Sequence, residues 1–299
     1  FNLDPAAVET VITERTRAII AVHLTGRPAD MDALTTLAER HGLFLVEDAA
    51  QAMGARYRGK PVGGLADAAC FSLHPLKTAG ACGDAGMITT DDDRLADRLR
   101  LLRNHGTRTR QEDACLWGFN ARMDTLQAAM TLVKLDFVPA WIERRRRHAE
   151  RYRGRIGRWV RIPDDRPGDT AVYHTFPVET DRRDELLAFL RERGIEAVVH
   201  YPVPLYRLPH AARFVTVPLP MADRQADRAL SLPIHEGLTD EQIDFVCDAI
   251  EAFHRDQNTT ASAKIDHSAQ VTGSSGPISE TTASAGPNPR LGTGKGDTG

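Results

Sequence analysis

"AIIAVHLTGRPADMDALTTLAERHGLFLVEDAA" (Ala18–Ala50) decides the fold class. It begins with a short β-branched apolar run, Ala18–Leu24, and ends with another, Leu43–Ala50. Between them Asp30 is placed to cap a helix with Met31, Leu34, Leu37 and Ala38 on one face, and Gly42 to stop it. Strand, helix and strand at this spacing make a βαβ unit. The unbroken apolar runs suit a parallel sheet covered on both faces.

Outward from this unit the pattern continues. "AACFSL" (Ala68–Leu73) and "AGMITT" (Ala85–Thr90) read as two more strands, and Asp92–Gly106 as an amphipathic helix with arginines on its wet side. Met123–Val138 is strongly helical, and Pro139 is expected to kink or interrupt it before "AWIERRRRHAERYRGRIG". The arginine run there reads as the solvated surface of a helix. Beyond Val160 come a strand-like "AVYHTFPVE", a helix over Arg182–Ile195, proline-rich loops and a closing helix from about Thr239 to His254. The expected division is a large α/β domain over 1–138, a smaller C-terminal α+β domain over 139–257 with its linking helix, and a disordered tail over 258–299. That tail is rich in Ser, Thr, Gly and Ala and has too few large apolar residues to offset its ordering entropy.

The 299 residues are 41% hydrophobic and 26% charged, the profile of a globular protein with a sizeable core. A formal net charge of −3 argues against nucleic acid or an anionic membrane as the main partner. The four cysteines (Cys70, Cys82, Cys115, Cys247) form no CxxC pair and no zinc-spaced cluster, so reduced thiols, a cytoplasmic location and no metal are expected. No G-x-G-x-x-G turn joins a strand to a helix, which speaks against a nicotinamide cofactor.

The chemistry is concentrated at the strand ends. Asp48 closes a buried parallel strand, the level at which open α/β sheets bind ligands, though a carboxylate there also serves to cap a turn. Gln51 follows among small side chains, as a ligand contact or a loop hydrogen-bonder. In "CFSLHPLKTAGACGDAG" (Cys70–Gly86) Ser72 ends a strand, and Lys77 sits in apolar and small company. A surface turn would also hold such a lysine. An amine that acts as nucleophile or base needs its pKa brought from ~10.4 to about 7, and apolar surroundings push in that direction. A carboxylate for a heterocyclic nitrogen, a hydroxyl for a phosphate and a lysine for an aldehyde together meet the needs of pyridoxal 5′-phosphate.

"VHLTGRPADMD", "LVEDAAQAMGARYRGKPVGG", "CFSLHPLKTAGACGDAGMITTDD", "LRNHG", "GFNARMDTLQAA" and "SLPIHEGLTDEQ" resemble the DegT/DnrJ/EryC1/StrS family of sugar aminotransferases, from about Phe1 to Phe253. The resemblance implies an aspartate-aminotransferase-like fold (fold type I) and a homodimer with shared active sites. It also implies transamination of a keto-sugar nucleotide in amino-sugar biosynthesis, with glutamate or a similar amino acid as donor. Lys77 would hold the cofactor as a Schiff base and shuttle the proton, and Asp48 would pair with the ring nitrogen. Gln51 would lie against the ring, Ser72 would bind the phosphate, and Asn120 would reach the phosphate of the neighbouring subunit. His200 and Tyr201 would touch substrate, unless His200 is a satisfied loop histidine. Relatives that aminate keto-inositols, or a catalytically silent regulatory protein, remain alternatives; the sugar dehydratases, which carry histidine at the lysine position, do not fit Lys77. "GFNARMDTLQAA" looks closest to enzymes that place nitrogen on C3 of deoxyhexose nucleotides. Met53 and Tyr206 stand where members often have histidine. The family's N-terminal segment, with its phosphate-binding turn and stacking aromatic, is not in this chain, which is therefore expected to bind cofactor poorly or fold badly alone.

Overall fold

The computed structural model describes residues 1–109, 113–215 and 217–271, with side chains as far as Arg255. The helices are α1 (Pro5–Glu9), α2 (Met31–His41), α3 (Asp93–Leu102), α4 (Thr125–Leu135), α5 (Val138–Ile156), α6 (Arg183–Glu192), α7 (Pro220–Arg228) and α8 (Asp240–Val271). The strands are β1 (Ala18–Val22), β2 (Phe44–Asp48), β3 (Arg56–Tyr57), β4 (Lys60–Pro61), β5 (Ala68–Ser72), β6 (Gly86–Thr89), β7 (Phe176–Glu179) and β8 (Ala229–Leu232). Residues Phe1–Arg255 form one compact unit. The expected tail lies for the most part outside the described residues, although α8 runs on to Val271.

The βαβ unit forms as its sequence dictates. The Asp30 side chain accepts from Ala33 N–H at the start of α2, and Gly42 ends it in the left-handed conformation at φ 62°. Met31, Leu34, Leu37 and Ala38 are buried against Ile19, Ala21 and Leu45. The main sheet runs β1-β2-β5-β6, with β1, β2 and β5 parallel and β6 antiparallel. It is therefore mostly parallel, with its two-sided register set by Ile20 opposite Val46 and Asp48 opposite Cys70.

The two faces of this sheet differ. Ile19, Ala21, Leu45, Glu47, Ala69 and Phe71 are buried, whereas Ile20 is 59% exposed, Ile88 49% and Phe44 41%. Side chains alternate along a strand, so Asp48, Cys70 and Ser72 share the open face with Ile20 and Phe44.

Pro139 falls in the first turn of α5, where its missing N–H leaves no intrahelical bond unmade, and α4 and α5 are separate helices. The N-terminal part of α5 packs Val138 and Ile142 on the sheet's core. Its C-terminal part packs Ala149, Tyr152 and Ile156 against β7, β8, α6 and α8. The arginine run is not a purely solvated face. Arg145 is buried and donates to the carbonyls of Tyr173 (3.2 Å) and Ile234 (2.9 Å) and to Glu236 (2.8 Å), and Arg155 binds Asp244 and Glu251 of α8. The guanidinium groups replace apolar contacts because buried carbonyls and carboxylates face that side of the helix. No helix among the described residues is long and apolar enough to cross a membrane.

Candidate active site

Asp48 is the last residue of β2, and its carboxylate accepts Ala50 N–H at 3.0 Å, which turns the chain away from the sheet. Ser72 is the last residue of β5, and its hydroxyl accepts His74 N–H at 3.2 Å. The chain then makes a closed loop. Lys77 N–H donates to His74 O (2.8 Å), Gly80 N–H to Lys77 O (2.9 Å) and Ala81 N–H back to Leu73 O (2.7 Å). The small residues after Lys77 permit this tight return. Lys77 is half-buried; its burial lowers the amine's pKa and the Asp48 carboxylate works against that by stabilising the charged form. The lysine foreseen in the turn and the aspartate foreseen at the strand end therefore act on each other.

Gln51 is held at both ends. Its Oε1 accepts Thr25 N–H at 2.6 Å, and its Nε2 donates to the Tyr201 hydroxyl at 3.4 Å. Thr25 adopts φ 64° and Gly26 φ 88° in a tight turn after β1. A Cβ at Gly26 would come within 2.7 Å of Val172 Cγ2 and 2.9 Å of Gln51 O, so the glycine is required for this approach. His200 shares a hydrogen bond with Ser231 at 3.0 Å, and burial together with the charge of Lys77 lowers its pKa. Tyr201 also borders a mostly apolar groove of about 760 Å³ with Leu24, Val203, Leu205 and Phe214.

His174 is the residue that sequence reading missed. Its pKa is lowered to about 3, first by burial and then by the charges of Lys77, Arg145 and His200, so the imidazole stays neutral. Its Nδ1 is buried without a hydrogen-bond partner among the described residues. The sequence signal was a histidine inside the strand-like "AVYHTF", a position that reads equally as core. Asn120 stands apart: its side chain accepts from Arg122 (3.2 and 3.0 Å), its backbone bridges to Asn104, and Arg122 in turn reaches Asn104 (3.2 Å).

The donor set fits pyridoxal phosphate. It offers an amine weakened by burial, a carboxylate coupled to it, a strand-end hydroxyl and an unpartnered buried imidazole nitrogen. Among the described residues no group of three or more His, Cys, Asp or Glu side chains is placed to hold a metal ion.

Known proteins carry the same framework. The chain is 45% identical over 261 residues to a "Pleiotropic regulatory protein" of Geobacillus stearothermophilus, covering 85% of this chain and 70% of that one. It is 45% identical over 253 residues to the dTDP-3-amino-3,4,6-trideoxy-alpha-D-glucose transaminase of Streptomyces venezuelae, covering 83% of this chain and 66% of that one. The chain thus spans about two thirds of the length of these relatives. The X-ray crystal structure of S. venezuelae DesV in complex with a ketimine intermediate superposes with a TM-score of 0.81 at 44% identity, over 84% of this chain and 69% of that one. An aminotransferase of this type from Brucella abortus gives 0.80 at 33% identity, over 85% and 70%. The fold is therefore that of the aspartate-aminotransferase-like, fold type I enzymes. With the family's model matched over residues 1–251, the chain belongs to the DegT/DnrJ/EryC1/StrS aminotransferase family, whose cofactor is pyridoxal phosphate.

Proposed function

We propose that this protein transfers an amino group from glutamate or a similar donor to a keto-sugar carried on a nucleotide, within amino-sugar biosynthesis. The observation that carries the reading is Lys77, a half-buried amine in the loop after β5 that feels the charge of Asp48 at the end of the neighbouring parallel strand β2. When bound, pyridoxal phosphate supplies a carbonyl for the nitrogen being carried and a ring that draws off electrons. Asp48 would hold the ring nitrogen protonated. Lys77, with its pKa lowered by burial, carries the proton to and from the substrate carbon. Ser72 is assigned to the phosphate and Gln51 to the ring. His200 and Tyr201 are assigned to substrate. Asn120 lies in its own cluster with Arg122 and Asn104, which supports its service to the site of a second copy in a homodimer. The exposed side chains of α4, Leu126, Leu132 and Val133, supply an apolar surface for such a partner. The division at 138–139 into cofactor and small domains, a cytoplasmic location, and a partner list without nucleic acid or membrane complete the reading.

Relatives named for sugar transamination support the substrate class. They include proteins from Acidithiobacillus ferrooxidans and Pseudomonas aeruginosa named for aminotransfer to UDP-linked 3-dehydro- and 3-oxo-sugars. A regulatory role is the second reading, favoured by the name of the Geobacillus relative. The presence of both Lys77 and Asp48 weighs against a silent protein. The deciding experiment offers glutamate and a panel of 3-keto and 4-keto sugar nucleotides and keto-inositols, with amine incorporation read by mass spectrometry. Nitrogen in a sugar nucleotide, lost in Lys77→Arg, supports the proposal; nitrogen only in an inositol, or equal turnover by Lys77→Arg, overturns it.

A further inference from the structure

Directly behind Asp48, on the other face of β2, Glu47 has no solvent exposure, and neither has His23 just past the end of β1. Glu47 Oε2 lies 3.0 Å from His23 Nε2 and accepts Gly63 N–H at 2.9 Å, while Oε1 accepts Leu65 N–H at 2.8 Å. His23 Nδ1 accepts Ala29 N–H at 2.9 Å. A ring nitrogen that accepts from a backbone N–H carries no proton, so the imidazole proton is on Nε2 and is donated to Glu47. The hydrogen-bond pattern thus fixes both the tautomer and the ring orientation.

An apolar pair would fill such a space with no desolvation cost, so a buried polar pair points to a role beyond stability. Its bonds reach two loops, the turn at 24–29 and the segment 63–65. The first of these holds Thr25 at φ 64°, which aims its N–H at Gln51 Oε1. A donor on the oxygen end leaves the amide nitrogen end to face the Tyr201 hydroxyl.

We propose that Glu47 and His23 are a positioning pair: by clamping the turn at 24–29 they aim Thr25 N–H at Gln51 and thereby fix which end of the Gln51 amide faces Tyr201 and the active site. The consequence for cofactor binding rests on the function proposed above; the clamp itself does not.

Two variants cut the pair at different places. His23→Gln keeps an amide donor for Glu47 and removes the acceptor for Ala29 N–H. His23→Asn keeps an acceptor near Ala29 and no longer reaches Glu47. The 299-residue chain is examined by hydrogen exchange with mass spectrometry without cofactor, then titrated with pyridoxal 5′-phosphate by absorbance. In His23→Gln, exchange at 24–29 is expected to rise about tenfold, the signature of a turn released locally. The cofactor's dissociation constant is expected to rise about three- to tenfold, but less than about twofold in a Gln51→Ala background, because coupled residues are non-additive. His23→Asn, the milder change should His23→Gln not fold, is expected to raise exchange at 63–65 and spare 24–29.

Unchanged exchange at 24–29 in His23→Gln, equal release of both loops in His23→Asn, or a full and additive affinity loss in Gln51→Ala would each overturn the proposal. If the parent chain takes up no cofactor while the exchange pattern holds, the clamp stands and its link to cofactor binding fails.

Discussion

On one face of the four-stranded sheet Ile19, Ala21 and Leu45 are sealed under α2, and Ala69 and Phe71 under the start of α5. On the other face Ile20, Phe44, Cys70 and Ile88 are exposed, and there Asp48 and Ser72 end their strands. Adjacent residues of one strand therefore do opposite work: Glu47 is bound inward by His23, Gly63 and Leu65, while Asp48 is turned outward to the charge of Lys77. The period of two is what allows this. A strand end can present a reactive group on one side and its support on the other without a loop between them. The sealed face carries the packed core, and the open face carries the strand-end residues proposed for the chemistry.

The sharpest way to break that division is Lys77→Ala. Loss of the proton carrier proposed for the reacting carbon is expected to cost about 10²–10⁴-fold or more in transamination. Unfolding in urea should move by less than about 1 kcal/mol, as for a substitution outside the packed core. A stability loss as large as that of a core variant would place Lys77 in the scaffold.

The reverse is expected for Glu47. Its carboxyl is held below the ordinary value of 4.5: burial alone would push it up, but the bonds from His23, Gly63 and Leu65 outweigh burial. Glu47→Gln leaves no charge buried but takes acceptor capacity from the N–H donors of His23, Gly63 and Leu65. A buried donor left unsatisfied costs about 1–3 kcal/mol, so a loss of at least that size is expected in urea at neutral pH. The lowered native value also fixes the acid behaviour. The stability Glu47 contributes is fully present above pH 4.5 and is lost as the pH falls through the lowered native value, and Glu47→Gln should flatten that limb. A variant as acid-sensitive as the parent would show that other carboxylates govern it.

A matched pair of apolar truncations tests the faces themselves. Leu45 is 2% exposed and Ile20 59%. Leu45→Ala is expected to cost about 2–5 kcal/mol, and Ile20→Ala about 0.5 kcal/mol or less, read as midpoints of urea unfolding. Equal losses would mean that the open face is covered in solution.

Much of this arrangement is legible in residue order. Asp30 and Gly42 delimit α2, apolar runs give β1, β2 and β5, and Pro139 marks the break before α5, because each of these signals is local. Lys77 and Asp48 were legible as a pair only through their chemistry, since 29 positions separate two residues that the parallel pairing of β2 and β5 brings into range. The rest depends on non-local partners. The strand Ala229–Leu232 is four residues without β-branching and exists by pairing with β7, so it was lost among proline-rich loops together with α7. Arg145 reads as solvent-facing until the carbonyls of Tyr173 and Ile234 are placed beside it. Glu47 and His23 look like ordinary strand-end polar residues, because nothing in their spacing of 24 announces a hydrogen bond.

His174 joins the two regions, since its Nδ1 is buried although the residue is partly exposed, and it feels the charge of Lys77. In the unfolded chain its imidazole takes up a proton near 6.5; in the folded protein it does so only at about 3. A group whose native value is depressed contributes stability above its unfolded value and loses it as the pH falls towards the native one. Folding stability should therefore decline between pH 6.5 and 3, by at most about 1.4 kcal/mol per pH unit for the single proton involved. Burial also lowers His148, His200 and His254, so the measurement is the difference between parent and His174→Phe, by urea midpoints at pH 6.5 and 5. The variant should be less acid-sensitive over that interval, where Glu47 is still ionised. If the two lines run parallel, the imidazole is reached by water and proton alike, and it belongs to the open side of the site.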